Sequence, residues 1–266
     1  MKIKTRAFKC DPRQFGCRAA CCRSADTKPA LTVGDYLRMS TATGESLSQL
    51  WLNRGNVNLT LVDKAESLFI LTLGLRHDPC TFLSPEAKCK IYAMRPLACG
   101  SFPWYILIEK PEELLDGYSD LKCLKNVRNT PAQAELWRRM RPIMRTEAEA
   151  ELRHFWTKGP SHISAKDTTI FYHLYKYARE YLAGPKPSYA MERVPILEEA
   201  IKKMETILKM SGRVVIPPHK LANLAQNVLF FWAAEAIAKQ LDELTPAAKE
   251  AYKSTTEAWQ EISLLI

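Results

Sequence analysis

The sequence lacks most of the motifs by which an enzyme is recognised. It has no phosphate-binding P-loop, no GxGxxG or GxSxG segment, and no HExxH or CxxxCxxC spacing. Internal repeats and low-complexity segments are also missing. The longest apolar run, residues 227–238, is shorter than the ~20 residues of a membrane span, so we expect a buried helix there. These absences argue against the common nucleotide-binding, hydrolase, radical-enzyme and membrane-spanning classes.

Cysteine is missing from the last 143 of the 266 residues and is concentrated before them. The first group holds Cys10, Cys17, Cys21 and Cys22, the second holds Cys80, Cys89 and Cys99, and Cys123 follows alone. Cysteines that serve only in packing would be scattered singly. Clusters with short, loop-like spacings are instead typical of thiolate ligands to a soft metal or an iron–sulfur cluster. The pattern therefore predicts a thiolate metal site.

Disulfides and inert buried thiols are the two competing interpretations. The first residues contain no apolar core of a secretory signal, so we expect a cytoplasmic protein, and disulfides are rare in that compartment. The adjacent pair Cys21 and Cys22 is also poorly placed for a disulfide, because neighbouring Cα atoms lie only ~3.8 Å apart. Metal ligation is favoured over both.

The identity of the metal is less clearly indicated. Structural zinc sites usually contain a repeated CxxC knuckle, and none occurs in this chain. The longer spacings suit loops that wrap a bulkier group, which favours a four-iron (4Fe-4S) cluster, with zinc as the second choice. Eight thiols would also suffice for two four-ligand sites, and the sequence leaves that open.

The second cysteine group resembles the signature of the CxxCxxCC family of zinc- or iron-chelating domains. The three parts of that signature are Cys-x-Phe-Leu, Cys-x-Ile-Tyr and Arg-Pro-x-x-Cys-x-x-Phe-Pro, and they stand here as Cys80–Leu83, Cys89–Tyr92 and Arg95–Pro103. The segment LTVGDYLRM resembles the LT-x-x-D helix start of the family, with Asp35 as the matching residue. The resemblance implies metal binding.

The first cysteine group departs from the family pattern. Its Cys-x3-Cys-Cys ending is similar to the cysteine-rich segment of flagellin lysine N-methylases, which are associated with an iron–sulfur cluster. The resemblance implies two ranks of candidate ligand. The first rank consists of Cys17, Cys21, Cys22, Cys80, Cys89 and Cys99. The second consists of Cys10 and Cys123, which would be either spare cysteines or ligands of another site. A single four-iron cluster would leave at least two of the first six, one of Cys21 and Cys22 among them, as non-ligands.

The net charge of +9 does not make nucleic acid a favoured partner. Much of the excess lies in the first 23 residues, where seven cationic side chains face one acid. A four-thiolate site on zinc or on an oxidised cluster carries a charge of about −2, and nearby cations stabilise such thiolates. No nucleic-acid-binding motif accompanies the basic residues. We expect no membrane partner, and a protein partner through the helical part of the chain.

Periodicity predicts a mainly α fold with a small, irregular α+β cysteine-rich region. A helix is expected over Thr32–Gly44, and strands within Leu59–Leu75. Five further helices are expected at Ala132–Trp156, Thr168–Leu182, Pro195–Met210, Pro217–Leu241 and Thr245–Leu264. These elements suggest a cysteine-rich metal or cluster region at residues 1–128, packed on a helical bundle at residues 129–266.

Three polar residues beside the cysteines are candidates for a supporting role. These are Tyr92, Arg95 and Asp35. The guanidinium of Arg95 would either offset thiolate charge or hydrogen-bond to sulfur, or else form a salt bridge to Asp35. His77 is either a further ligand or an ordinary loop histidine. Three functions remain open: a metal-binding module whose site is structural or accessory, an enzyme similar to lysine N-methylases with unknown catalytic residues, and a metal or cluster carrier.

Overall fold

A computed structural model describes residues 19–23, 28–63, 65–77, 79–102, 131–156, 162–164, 168–210 and 218–263. The helices in these ranges are α1 (Val33–Thr43), α2 (Leu47–Arg54), α3 (Leu97–Ser101), α4 (Pro131–His154), α5 (Thr168–Ala183), α6 (Ser188–Met191), α7 (Val194–Lys209), α8 (Pro218–Asp242) and α9 (Pro246–Ser263). The strands are β1 (Gly55–Asp63), β2 (Leu68–Leu75) and β3 (His162–Ser164), which form an antiparallel sheet in the order β1-β2-β3. The prediction of a mainly α fold with a small α+β part is confirmed.

The chain divides into two compact units, each built from segments that are distant in sequence. The cysteine unit comprises residues 1–45, 76–157 and 244–266, and the sheet unit comprises residues 46–75 and 158–243. The cysteine unit therefore contains α4 and α9, whereas all three strands belong to the sheet unit. The boundary expected between residues 128 and 129 lies outside the described residues and stays a prediction.

Helix α1 begins and ends where its sequence signals predict. The hydroxyl of Thr32 accepts a hydrogen bond from the amide of Asp35, and the Asp35 carboxylate accepts one from the amide of Thr32, both at 3.1 Å. This reciprocal capping satisfies two amides that a helix start leaves unpaired. Gly44 ends the helix with φ +73°, a left-handed conformation that glycine adopts without steric cost.

The core of the cysteine unit lies between α3, α4 and α9. It is formed by Leu97, Leu136, Trp137, Met140, Ile143, Trp259 and Ile262. Trp259 is fully buried, and its indole N–H donates to the carbonyl oxygen of Arg95 at 3.1 Å. The last helix of the chain therefore packs directly against the segment that carries the third cysteine of the second group.

The sheet unit is built around α8, which packs against α2, β1, α5 and α7. The indole N–H of Trp51 donates to the carbonyl oxygen of Ala234 at 2.8 Å, and its ring lies 5.5 Å from that of Phe230. The expected strands are confirmed, although β1 begins earlier, at Gly55. By length and composition alone, Lys220–Asp242 would suffice to cross a membrane, but 61% of the apolar window is buried, as in a core helix.

Candidate metal centre

The first described cysteines lie on a single 3-10 turn, Ala20–Cys22. The turn follows Ala19, which is buried and left-handed at φ +58°. The Cys22 amide donates to the carbonyl oxygen of Ala19 at 2.9 Å, and the Cys22 carbonyl oxygen accepts from the amide of Cys80 at 2.7 Å. This last bond joins the two cysteine groups through the main chain.

Cys80 and Cys89 lie on either side of a tight loop. An isolated antiparallel bridge pairs Leu83 with Cys89, and the amide of Lys90 donates to the carbonyl oxygen of Phe82 at 2.9 Å. The side chain of Phe82 is buried beneath this loop. The pairing turns the chain back on itself, so the two cysteines are held close together although eight residues separate them.

Cys99 lies at the centre of the five-residue helix α3. The amide of Leu97, at the start of this helix, donates to Oδ1 of Asp35 at 2.8 Å. On the opposite end, a Cβ atom on Gly100 would overlap with the Trp259 ring, so only glycine permits this close packing.

The thiols of four cysteines interact with one another. Burial raises the pKa of Cys80 to about 12, with further increases from the charges of Cys22 and Cys89. Burial also raises the pKa of Cys89, again with a contribution from Cys22. Burial of the Cys99 thiol raises its pKa most, and the charges of the other three thiols raise it further. Other parts of the Cys99 residue are exposed. Cys22, Cys80, Cys89 and Cys99 therefore converge, and we call them the four-thiol set.

The chemistry of this set fits a thiophilic metal or cluster. Repulsion between thiolates in a desolvated region disfavours their ionisation, and a bound cation would remove that penalty. The pKa of Cys22 is the exception, because a hydrogen bond from Cys21 lowers it. Burial opposes this effect, and the charge of Arg23 adds to it. The two adjacent sulfur atoms lie 4.0 Å apart. Within this pair, it is the charge of Cys22 that raises the pKa of Cys80, Cys89 and Cys99.

Backbone amides are directed at two of the sulfur atoms. Hydrogen bonds from the amides of Phe82 and Leu83 favour the Cys80 thiolate and oppose the effect of burial on its pKa. The amide of Ile91 acts in the same way on Cys89. The residues that follow each cysteine in the motif therefore supply hydrogen bonds to its sulfur, which is how a protein orients and tunes thiolate ligands.

Arg95 is a buried cation next to the four-thiol set. Its guanidinium lies 4.1 Å from the centre of the Tyr92 ring, and its charge lowers the pKa of Cys89. Its Nε has no hydrogen-bond partner among the described residues. Of the two roles considered for Arg95, the structure supports charge compensation. The salt bridge to Asp35 is made by Arg38 instead, at 2.6 Å.

Three candidate ligands, Cys10, Cys17 and Cys123, lie outside the described residues, so their roles stay predictions. Within the described ranges, no three His, Cys, Asp or Glu side chains are spaced to hold a single metal ion. His77 is buried. Sequence reasoning missed the parts played by Arg38, Glu147 and Trp259, for which the only local signal was the position of Arg38 three residues after Asp35.

Comparison with protein families supports the chemistry of the site. Residues 9–126 match the family model of CxxCxxCC, described as a putative zinc- or iron-chelating domain. This segment includes both cysteine groups, α1 and the loop around Cys80 and Cys89. No match was found among curated proteins or among solved structures. The similarity to flagellin lysine N-methylases stays a prediction.

Proposed function

We propose that residues 9–126, as a domain of the CxxCxxCC zinc- or iron-chelating type, hold an iron–sulfur cluster through thiolates from both cysteine groups. The observation that carries this proposal is the main-chain bond from Cys80 to Cys22 at 2.7 Å, which joins the two groups, together with the effect of the Cys22 charge on the pKa of Cys80, Cys89 and Cys99. Four cysteine thiolates are the usual ligand set of a four-iron cluster. Zinc, which also binds four thiolates, is the second choice.

Two features favour a cluster over zinc. The ligand spacings lack the CxxC knuckle, and the thiolates come from a 3-10 turn, a loop and a short helix. The amides directed at Cys80 and Cys89, together with the cation of Arg95, are the kinds of group that set the reduction potential of a cluster. When bound, the cluster would cross-link the segments that carry the four cysteines, and it could also accept or donate one electron.

The role that we propose for the site is structural or accessory. The thiols come from a 3-10 turn, a loop and a short helix, none of which has enough apolar surface to fold alone. Because such a site does not exist in the unfolded chain, metal binding contributes directly to folding. The partly exposed Cys99 leaves the carrier function as the alternative, since a carrier needs an accessible thiolate. We further propose a reducing, cytoplasmic setting and a protein partner.

The test is anaerobic purification of the full chain followed by iron, sulfide and zinc analysis. We expect stoichiometric iron and sulfide, and their loss in Ser variants of Cys22, Cys80, Cys89 and Cys99. Cys21→Ser is the matched control, because it changes the neighbouring thiol on the same turn, and it should retain the metal. Stoichiometric zinc without sulfide would contradict the cluster and support a zinc site at the same cysteines. Absence of any metal, or retention in Cys22→Ser with loss in Cys21→Ser, would contradict the proposed ligand set.

A further inference from the structure

We infer that Asp35 is a positioning residue for Cys99, an inference that rests on the proposed metal-binding function. The carboxylate of Asp35 is buried, and its Oδ1 accepts the amide hydrogen of Leu97 at 2.8 Å. Leu97 begins helix α3, and Cys99 follows two residues later. One side chain on α1 therefore fixes the start of the helix that carries a proposed ligand.

The first turn of helix α3 depends on this bond, although Leu97 and Gly100 also pack against α4 and α9. The helix contains five residues, and Pro96, the residue before it, offers no side chain that could cap the first amides. The first amides of a helix have no intrahelical acceptor, and burying one without a partner is unfavourable. Asp35 supplies that acceptor for Leu97. Without it, the helix would tilt or fray on the side that presents the Cys99 thiol.

The position of Asp35 is itself fixed by a network of buried charges. Its Oδ1 also accepts from Nη2 of Arg38 at 2.6 Å, and its Oδ2 accepts from the amide of Thr32 at 3.1 Å. Arg38 is held in turn by both carboxylate oxygens of Glu147, at 2.5 and 3.0 Å. Arg38 and Glu147 are both fully buried, so water does not compete for the hydrogen bonds between them.

Glu147 reaches this network from α4 because Gly34 leaves room for it. A Cβ atom at Gly34 would lie 2.5 Å from Cδ of Glu147, and Oε2 of Glu147 also accepts from the hydroxyl of Thr32 at 2.5 Å. Three elements, α1, α3 and α4, are thus joined through the carboxylates of Asp35 and Glu147 and the guanidinium of Arg38 between them. Only Asp35, however, has a hydrogen bond to α3 in the described network, which separates its role from that of Glu147.

The experiment uses the full chain, loaded anaerobically with iron and sulfide, and measures alkylation of each cysteine by iodoacetamide with peptide mass spectrometry. In Asp35→Ala we expect Cys99 to be modified ~10–100-fold faster than in the unsubstituted chain, the range by which outer partners affect metal sites. Cys22, Cys80 and Cys89 should stay protected. Glu147→Gln is the matched control, because it weakens the same buried network but leaves the bond to Leu97, and it should show no selective change at Cys99.

Asp35→Asn serves as a second variant, since it keeps the side-chain volume should the alanine variant fail to fold. Its NH2 group takes the place of one carboxylate oxygen and cannot accept, so either the Thr32 or the Leu97 amide loses its acceptor, and Cys99 should also become exposed, to a smaller extent. An equal rate increase at all four cysteines, or no increase at Cys99, would overturn the inference while leaving the proposed function intact. Thiols that iron and sulfide do not protect in the unsubstituted chain would overturn both.

Discussion

The two units of the molecule bury different kinds of residue. Among the described residues, the cysteine unit buries six acidic or basic side chains, Asp35, Arg38, His77, Arg95, Glu147 and Glu151. The sheet unit buries only one, Arg193, and its interior is otherwise mostly apolar. Apolar packing tolerates substitutions of similar volume, whereas a buried charge needs its partner in place. The comparison indicates that the cysteine unit uses buried polar contacts to fix the geometry of a site.

The largest difference between the units is expected when a buried arginine is replaced by methionine. Arg38→Met leaves the carboxylates of Asp35 and Glu147 buried without a cation, and removal of one partner from a buried ion pair costs about 3–5 kcal/mol. Arg193 donates to two neutral acceptors, the carbonyl oxygens of Leu52 and Gly55, at 3.2 and 2.8 Å. Arg193→Met should therefore cost less, about 1–3 kcal/mol.

Hydrogen exchange read by mass spectrometry distinguishes these costs, because it reports each unit separately. In Arg38→Met, protection should fall in α1 and α4, and in Arg193→Met it should fall in α2 and α7. The stacking of Arg193 on the Phe230 ring, at 3.7 Å, should be partly replaced by the methionine side chain. Equal losses of protection in the two variants would contradict the proposed difference between the units.

Much of the fold could be predicted because its signals are local. Helix α1 has its cap at Thr32 and its stop at Gly44, and both act within the segment itself. Helix α2 and the three-residue strand β3 were missed, since neither is long enough to show a clear period. The membership of α9 in the cysteine unit was also missed, because it depends on the fit of Trp259 against Gly100, residues far apart in sequence.

The candidate site could be predicted in composition but not in arrangement. The spacing of cysteines is visible in the sequence itself, so Cys80, Cys89 and Cys99 could be predicted as candidate ligands. Which of Cys21 and Cys22 faces the other thiols depends on the 3-10 turn after Ala19, whose left-handed conformation has no signal in the sequence. The pairing of Arg38 with Glu147 joins residues 109 positions apart, and no local pattern encodes it.

An intermediate difference is expected when an interior glycine becomes alanine in each unit. In Gly100→Ala the new methyl group overlaps with the Trp259 ring, which is fully buried and hydrogen-bonded to Arg95, so the ring cannot move away freely. Overpacking of this kind typically costs about 1–3 kcal/mol. In Gly74→Ala the nearest atoms, Cβ of Asn58 and the carbonyl oxygen of Asn56, lie at 3.0 and 3.1 Å. The higher strand propensity of alanine offsets this closer contact, so the net change should be near zero.

Denaturant unfolding of the two glycine variants, followed by hydrogen exchange within each unit, provides the measurement. A double variant supplies the control: Trp259→Phe makes room for the methyl group, so Gly100→Ala should cost less in that background than alone. Additive costs, or a Gly74→Ala variant less stable than Gly100→Ala, would show that the packing of α3 against α9 is not the more rigid of the two contacts.

The last difference concerns pH, and it depends on a buried carboxyl group. Burial raises the pKa of Glu151 from its ordinary value of 4.5 to about 8, and the charges of Asp35 and Glu147 add to this effect. The indole of Trp156 donates to its Oε1 at 2.7 Å, and the Val33 amide also bonds to it, but these contacts do not outweigh burial. The described part of the sheet unit contains no buried carboxyl group.

The sign of the pH dependence follows from this pKa. Because the folded cysteine unit binds the Glu151 proton more tightly than the unfolded chain, the stability that it contributes is fully present below pH 4.5 and is lost as the pH rises through about 8. Each pH unit in this window removes at most about 1.4 kcal/mol. Glu151→Gln cannot ionise, so the decrease between pH 5 and about 8 should be shallower in this variant than in the unsubstituted chain, as hydrogen exchange in α4 would report. Protection in α8 of the sheet unit serves as the internal reference. An unchanged slope in Glu151→Gln would show that another group binds the proton.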